Sequence, residues 1–218
     1  MKSWTQEPVK QILDNIDRDD HEERIIYLEE HAAELLALDE YDRCYCTYQY
    51  VHSLHAVQRY EDLLRYIDEV IEFVFIHDID FIPTRTYERL LCIKTEALYE
   101  TLQYEESVDI SKQLLGMHPE DKRYRKLLEK SYRSLYNMKS GYVRLAAMIL
   151  IFSSSIVSAI FWLSTRSQVQ ASPSYIFLII ITPCFLAMTL MALSHFYYYL
   201  KSIQQTDKLI RTKRTKRA

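Results

Sequence analysis

Glycine is nearly missing from this chain: two among 218 residues, at positions 116 and 141, beside five prolines. So little turn chemistry excludes an all-β fold and any glycine-rich phosphate loop, and it predicts helices joined by short breaks. Four cysteines are too few for a disulfide framework in a chain of this length, so Cys44, Cys46, Cys92 and Cys184 are expected as thiols. The opening segment MKSWTQEPVK lacks the apolar core that a secretory signal needs. Asp, Glu, Lys and Arg are all absent from two apolar runs, residues 145–163 and 175–197.

Those two runs are the strongest signal present. At about 1.5 Å per helical residue, the first covers roughly 28 Å, close to the roughly 30 Å hydrocarbon core of a bilayer. A polar-leaning loop, 164–174, joins it to the second. The expectation is a two-span transmembrane hairpin over 139–200. Trp162 and Tyr175 would mark one interface, with Tyr142 and Tyr197-Tyr198-Tyr199 at the other. Ser154/Ser158 and Ser155/Ala159 would let a helix approach the first span closely, and Pro183 would kink the second. Without charged groups inside the spans, an ion or proton pathway is not expected.

Charge is divided as sharply. Residues 1–140 carry eighteen Lys/Arg against twenty-nine Asp/Glu, whereas residues 141–218 carry nine against one. Lys139 and Arg144 precede the first run and seven cations follow the second, with Arg166 alone in the loop, so both termini are expected on the cytoplasmic side. In a bacterium that membrane would be the inner one. The basic tail, 201–218, with Lys208, Arg211, Lys213, Arg214, Lys216 and Arg217, is expected to face anionic lipid. It offers no aromatic platform for nucleic acid.

Over residues 1–138, apolar positions recur every three or four residues, as in Leu63, Leu64, Ile67, Val70, Ile71 and Val74. Breaks at 18–20, 39–40, 59–60, 78–83, 102–104 and 116–121 predict seven helices packed as antiparallel neighbours. One stretch adds detail: Ala97-Leu98-Tyr99, then Tyr104-Glu105-Glu106-Ser107, then Leu114 and Pro119. It resembles a tetratricopeptide repeat. With Glu88 as the first position, Thr95, Leu98, Ser107, Leu114 and Pro119 stand at the eighth, eleventh, twentieth, twenty-seventh and thirty-second. Ser111 replaces the usual aromatic and Thr95 the common glycine. A second unit, Cys44 to about Phe75, aligns on Arg59-Tyr60-Glu61-Asp62, with 76–85 as an insertion, and a third begins at Lys122. The fold expected is an all-α, tetratricopeptide-like solenoid of helical hairpins followed by the membrane hairpin.

The resemblance also implies a binding groove lined by first-helix positions two, five, nine and twelve. These are Tyr45, Tyr48, His52 and His55 in the first unit, and Arg89, Cys92, Glu96 and Tyr99 in the second. In the third they are Arg123, Lys126, Lys130 and Arg133, a basic stripe opposite Tyr124, Leu127, Leu128, Ser131 and Leu135. That stripe suits an anionic partner or lipid headgroups, or is simply the solvated face of its helix.

Catalytic chemistry is not legible. On one helix Cys44 and His55 would lie about 16 Å apart, too far to share a zinc ion with Cys46 and His52. His21-Glu22-Glu23-Arg24-Ile25 puts isoleucine where a zinc protease needs its second histidine. Neither a cofactor, a metal nor an enzyme activity is expected. The function expected is a membrane-anchored scaffold or adaptor that binds a protein partner. The alternative is a small membrane protein whose hairpin regulates or inhibits a membrane complex or toxin.

Overall fold

The three- and four-residue periodicity does form helices. A computed structural model of the chain is all-α, without strands among its described residues, and sequential helices pack antiparallel. It describes residues 9–17, 19–81, 85–139, 141–165 and 173–215; inside the helices, the side chains of 10, 142–144, 150, 154, 158, 161–165, 173–184 and 213–215 lie outside the description. The helices are α1 (Val9–Asn15), α2 (His21–Glu30), α3 (Ala32–Leu35), α4 (Glu40–Ala56), α5 (Tyr60–His77), α6 (Thr86–Glu100), α7 (Tyr104–Met117), α8 (Lys122–Lys139), α9 (Gly141–Thr165) and α10 (Pro173–Thr215). They fall into two compact units, Met1–Tyr124 and Arg125–Ala218, so the division lies within α8.

In the first unit, one apolar core joins Val51 and Leu54 of α4, Leu63, Ile67 and Val70 of α5, and Leu90 of α6, all sealed from solvent. Burying each such side chain contributes about 1.5–3 kcal/mol before the entropy of ordering is set against it. A smaller cluster joins Leu13, Leu28 and Cys46. One expectation needs correction: Ile25 to Leu36 is not a single helix. His31 leaves helical geometry (φ −103°, ψ 19°) and ends α2, with its ring 2.8 Å from the carbonyl of Tyr27 and α3 starting immediately after.

The turns ending α4 and α6 share one construction. Leu54 and Leu98, both buried, accept from the amides of Arg59 (2.9 Å) and Gln103 (2.8 Å). Between them, Gln58 (φ 63°) and Leu102 (φ 64°) adopt the left-handed conformation usual for glycine at a helix C-terminus. The two turns lie 44 residues apart and each leads into a Tyr-Glu helix start. The repeat positions Thr95, Leu98, Ser107, Leu114 and Pro119 are all buried, and Ser107 Oγ donates to the carbonyl of Thr95 at 3.1 Å where α6 and α7 meet. The inserted segment folds back: Asp80 accepts from the amide of Thr86 (2.8 Å), and the Phe81 amide donates to Thr86 Oγ1 (3.0 Å).

In the second unit, α9 and α10 pack on each other with the small residues Ala147 and Ala187 buried. Outward, the same helices leave large apolar side chains more than half exposed: Leu145, Met148, Ile149, Phe152, Ile156, Val157 and Ile160 on α9, and Phe185, Leu186, Met188, Leu193 and Phe196 on α10. Among the described residues, no helix is long and apolar enough to cross a membrane, and the two-span expectation is not supported by these residues alone. Positions 150, 154, 158, 161–163 and 175–184 of the expected spans, with Cys184 among them, lie outside the described side chains. α10 continues unbroken through Pro183 and on to Thr215, so the second run and most of the tail are one helix of 43 residues. Its later part packs on α8. Ser202, Thr206 and Ile210 form a buried stripe, Arg125 donates to Asp207 Oδ1 (2.8 Å), and Tyr136 donates to Gln205 Oε1 (2.6 Å).

Candidate functional site

The candidate site lies on the first unit, where α2, α4 and α6 approach one another. α4 starts at Asp39, whose carboxylate caps the amide of Asp42 at 2.8 Å, and its one-turn spacing then places His52 and His55 toward α6. Arg89 of α6 donates through Nη2 to His52 Nε2 at 2.7 Å, and His55 Nε2 lies 2.9 Å from Glu96 Oε2. Four of the residues placed in the groove by the resemblance are thus brought into two contacts, helix to helix. Burial, assisted by the positive charge of Arg89 and the neighbouring His21, His55 and Arg24, pulls His52 down to about 4. At neutral pH it is an uncharged acceptor for Arg89.

Tyr48 and Tyr45 are placed differently from the expectation. Tyr48 is only 3% exposed, with its ring 5.3 Å from that of Phe81, and burial raises its hydroxyl pKa. Tyr45 donates to Asp14 Oδ1 at 2.9 Å and also meets Phe81, at 5.7 Å. The insertion therefore covers the part of α4 that a bare repeat would leave open. Its signal in the sequence was one aromatic residue inside a segment otherwise rich in loop residues.

Along α6, Glu88 accepts from Tyr124 (3.0 Å) and pairs with His118 (2.7 Å). Burial opposes ionisation there, but the hydrogen bonds from His118, Tyr124 and Arg85 prevail and hold Glu88 below the usual carboxylate range. Tyr99 packs edge-on against Tyr104 at 5.4 Å, near the C-terminus of the same helix. Cys44, Cys46 and Cys92 are free thiols. Burial, with help from nearby carboxylates, pushes Cys44 up to about 12 and Cys92 up to about 11, so neither supplies a thiolate nucleophile at neutral pH. Cys44 belongs to the main core and Cys46 to the smaller cluster, so the two face different surroundings.

The basic stripe of α8 is exposed at Arg123, Lys126, Lys130 and Arg133, while Tyr124, Leu128, Ser131, Tyr132 and Leu135 are buried. The unit division separates Arg123 from the other three. Arg123 is held by Asp121 at 2.9 Å, and Arg133 lies 4.8 Å over the Tyr199 ring. Lys208 and Arg211 are exposed on α10; the side chains of Lys213 and Arg214, and Lys216 and Arg217 altogether, lie outside the described residues.

Sequence reasoning missed three contributors to the α2/α4/α6 face: His21, Arg24 and Gln49. In the sequence, His21 and Arg24 stand out only within the incomplete protease motif. Arg24 is 7% exposed, donating through Nη1 to Gln49 Oε1 (3.2 Å) and through Nη2 to the carbonyl of Ile16 (3.1 Å). A separate cleft of about 210 Å³ lies between α4 and α5, lined by residues including Glu40, Arg43, Glu69 and Glu72, smaller than ordinary small-molecule pockets. Among the described residues, no group of three or more His, Cys, Asp or Glu side chains is placed to hold a metal ion. The chain matches no family description, no curated protein and no solved structure.

Proposed function

We propose that this protein is a membrane-anchored adaptor. Its first unit binds a protein partner on the face formed by α4 and α6, in the manner of a tetratricopeptide-like groove, and its second unit anchors it through α9 and the first half of α10. The anchor is carried by one observation. Twelve large apolar side chains on these two helices stand more than half exposed, in a stretch whose only charged residue between Arg144 and Lys201 is Arg166. In water such a surface would associate or aggregate; hydrocarbon is the solvent that suits it.

Geometry beside those helices is consistent with an interface. A helix of 43 residues is roughly 65 Å long, about twice the hydrocarbon thickness, so α10 would extend well beyond the bilayer. Where it would emerge, Tyr132, Tyr136 and Tyr198 stack at 5.9 and 5.7 Å, and Lys201 lies 5.1 Å from the Tyr136 ring. Tyrosine and lysine at that level match the aromatic and cationic belts of membrane proteins. The groove reading is supported by the equivalent turns at Gln58 and Leu102 and by the contacts His52–Arg89 and His55–Glu96.

The test uses the full-length chain in cells. Alkaline carbonate should leave it in the membrane pellet, and a photo-crosslinker at Glu96 should capture a protein that the same crosslinker at Asp109, exposed on α7, does not. Release into the carbonate supernatant would remove the anchor from the proposal. Equal capture from both positions would remove the groove.

A further inference from the structure

Arginines of the first unit generally meet carboxylates: Arg59 meets Glu29 and Asp62, Arg65 meets Asp62, Arg85 meets Glu88 and Arg123 meets Asp121. Arg43 shares the α4/α5 cleft with Glu40, Glu69 and Glu72, whereas Arg24 and Arg89 make no pair with a carboxylate among the described residues. Arg24 is buried with its Nε–H unpartnered among the described residues, and its two amide-type acceptors carry no charge. Among the described residues, Arg89 bonds through its side chain to the neutral ring of His52. The His21 ring lies 5.8 Å from that of His52, and its buried Nδ1 has no partner among the described residues. Two guanidinium groups and two imidazoles are therefore neighbours, and among the described residues none of the four pairs with a carboxylate; Glu96, on the same face, is engaged by His55 at 2.9 Å. The four lie in a unit holding twenty-eight Asp/Glu against thirteen Lys/Arg, where neutralising carboxylates are abundant.

Keeping a buried guanidinium without a counter-ion is costly unless something else supplies the negative charge. We infer that the α2/α4/α6 face around Arg24, His52 and Arg89 is an oxyanion-binding site, and that it receives a carboxylate or phosphate group presented by a protein partner. This rests on the groove reading above and names the chemistry of what enters it. The planar fork of Arg89 suits two oxygens at once, and His52 becomes a second donor once protonated. An anionic bilayer is the wrong source, because the surrounding unit is strongly acidic and would be repelled from it. The charged and titratable groups acting on His52 are Arg89 from α6, His21 and Arg24 from α2, and His55 from its own helix. An entering oxyanion would outweigh them and draw a proton onto His52.

The site can be probed with full-length protein in a neutral detergent, labelled with ¹⁵N-histidine. It would be titrated separately with inorganic phosphate and with acetate, chloride holding the ionic strength constant. The expected result is saturable movement of the His52 and His21 imidazole signals, with the His52 titration midpoint rising from about 4 toward the ordinary histidine range. Arg89→Ala, at an exposed position, should weaken phosphate about tenfold or more, Arg89→Lys less, and Arg65→Ala not at all. Tighter phosphate than acetate would indicate a phosphorylated partner, and the reverse a carboxylate. No saturation beyond chloride, or an unchanged affinity in Arg89→Ala, overturns the site whatever the crosslinking shows. Saturable binding lost in Arg89→Ala, beside equal crosslinking from Glu96 and Asp109, would keep the anion site and discard the groove.

Discussion

The two units obey the same helical rules and turn opposite faces to their surroundings. Residues 1–124 carry twenty-eight acidic against thirteen basic side chains and gather their leucines, isoleucines and valines into a core. Residues 125–218 carry two acidic against fourteen basic ones and leave the large apolar side chains of α9 and α10 outside. In the first unit, apolar periodicity records which side of a helix meets its neighbours. In the second, apolarity continues around the helix, and the seam between α9 and α10 holds the small buried residues Ala147 and Ala187. Helix formation is thus common to both, and what differs is how much large apolar side chain each leaves exposed.

The largest test of that difference is to put charge where only hydrocarbon should be. Phe152 and Ile156 lie one turn apart on α9, 71% and 60% exposed. Phe152→Lys with Ile156→Lys should cost about 5–7 kcal/mol of insertion, at about 2.5–3.5 kcal/mol for each charge at the centre of a span. The chain should move from the carbonate pellet to the supernatant. Leu36→Lys, at a 74% exposed position of the first unit, should leave it in the pellet. If the double variant pellets like the parent protein, the contrast between the units is wrong. Next in size is Leu98→Ala, which empties a buried site in the first unit and should cost about 2–5 kcal/mol. Faster hydrogen exchange throughout α6 and α7 would report it. Leu193→Ala, on the exposed side of α10, should leave exchange in the second unit unchanged in detergent.

Much of this was legible beforehand, and for identifiable reasons. Scarce glycine and the spacing of Leu63, Ile67, Val70 and Val74 sufficed for an all-α fold, because burial on one face imposes that period. The repeat register puts His52, His55, Arg89 and Glu96 on groove-lining positions, but does not give the contacts that they make with one another across α4 and α6. The covering of Tyr48 was not legible, because Phe81 belongs to an insertion that no periodic pattern describes. Arg24 was equally hidden: a charged residue on an amphipathic helix reads as solvated, and only tertiary packing buried it. Nor did the apolar runs reveal that α10 continues into the basic tail, since charge patterning changes at 201 while helical geometry does not.

Acid should act on the first unit through His52. Its midpoint of about 4 lies below the roughly 6.5 of an unfolded chain, so between those values the unfolded state binds more protons and folding stability falls as pH falls. The slope can approach about 1.4 kcal/mol per pH unit, reduced by the ring's partial contact with solvent. Glu88, held low, contributes stability that is lost only on further acidification, as pH falls through its depressed midpoint. His52→Gln should therefore flatten the upper part of the acid profile in denaturant unfolding of the first unit and leave the lower part in place. Parallel profiles for the two proteins would show that His52 does not carry this dependence.

The smallest expected effect concerns the scarcity of glycine itself. Gln58 and Leu102 occupy left-handed geometry that costs a non-glycine residue roughly 1 kcal/mol or more, and both are exposed, so little packing is lost by trimming them. Gln58→Gly and Leu102→Gly should each stabilise the first unit by about 0.5 kcal/mol, after the greater freedom of glycine in the unfolded chain is subtracted. Thermal unfolding should rise by roughly 1–3 °C for each. Among the described residues of α9 and α10 there is no positive φ to relieve, so this gain belongs to the first unit alone. Similar gains at the two positions would mean that the turns, 44 residues apart, share an energetic construction as well as a hydrogen-bond pattern. A gain at one and a loss at the other would mean that the matching bonds at Leu54 and Leu98 reflect coincidence of geometry, and the repeat would lose its best support.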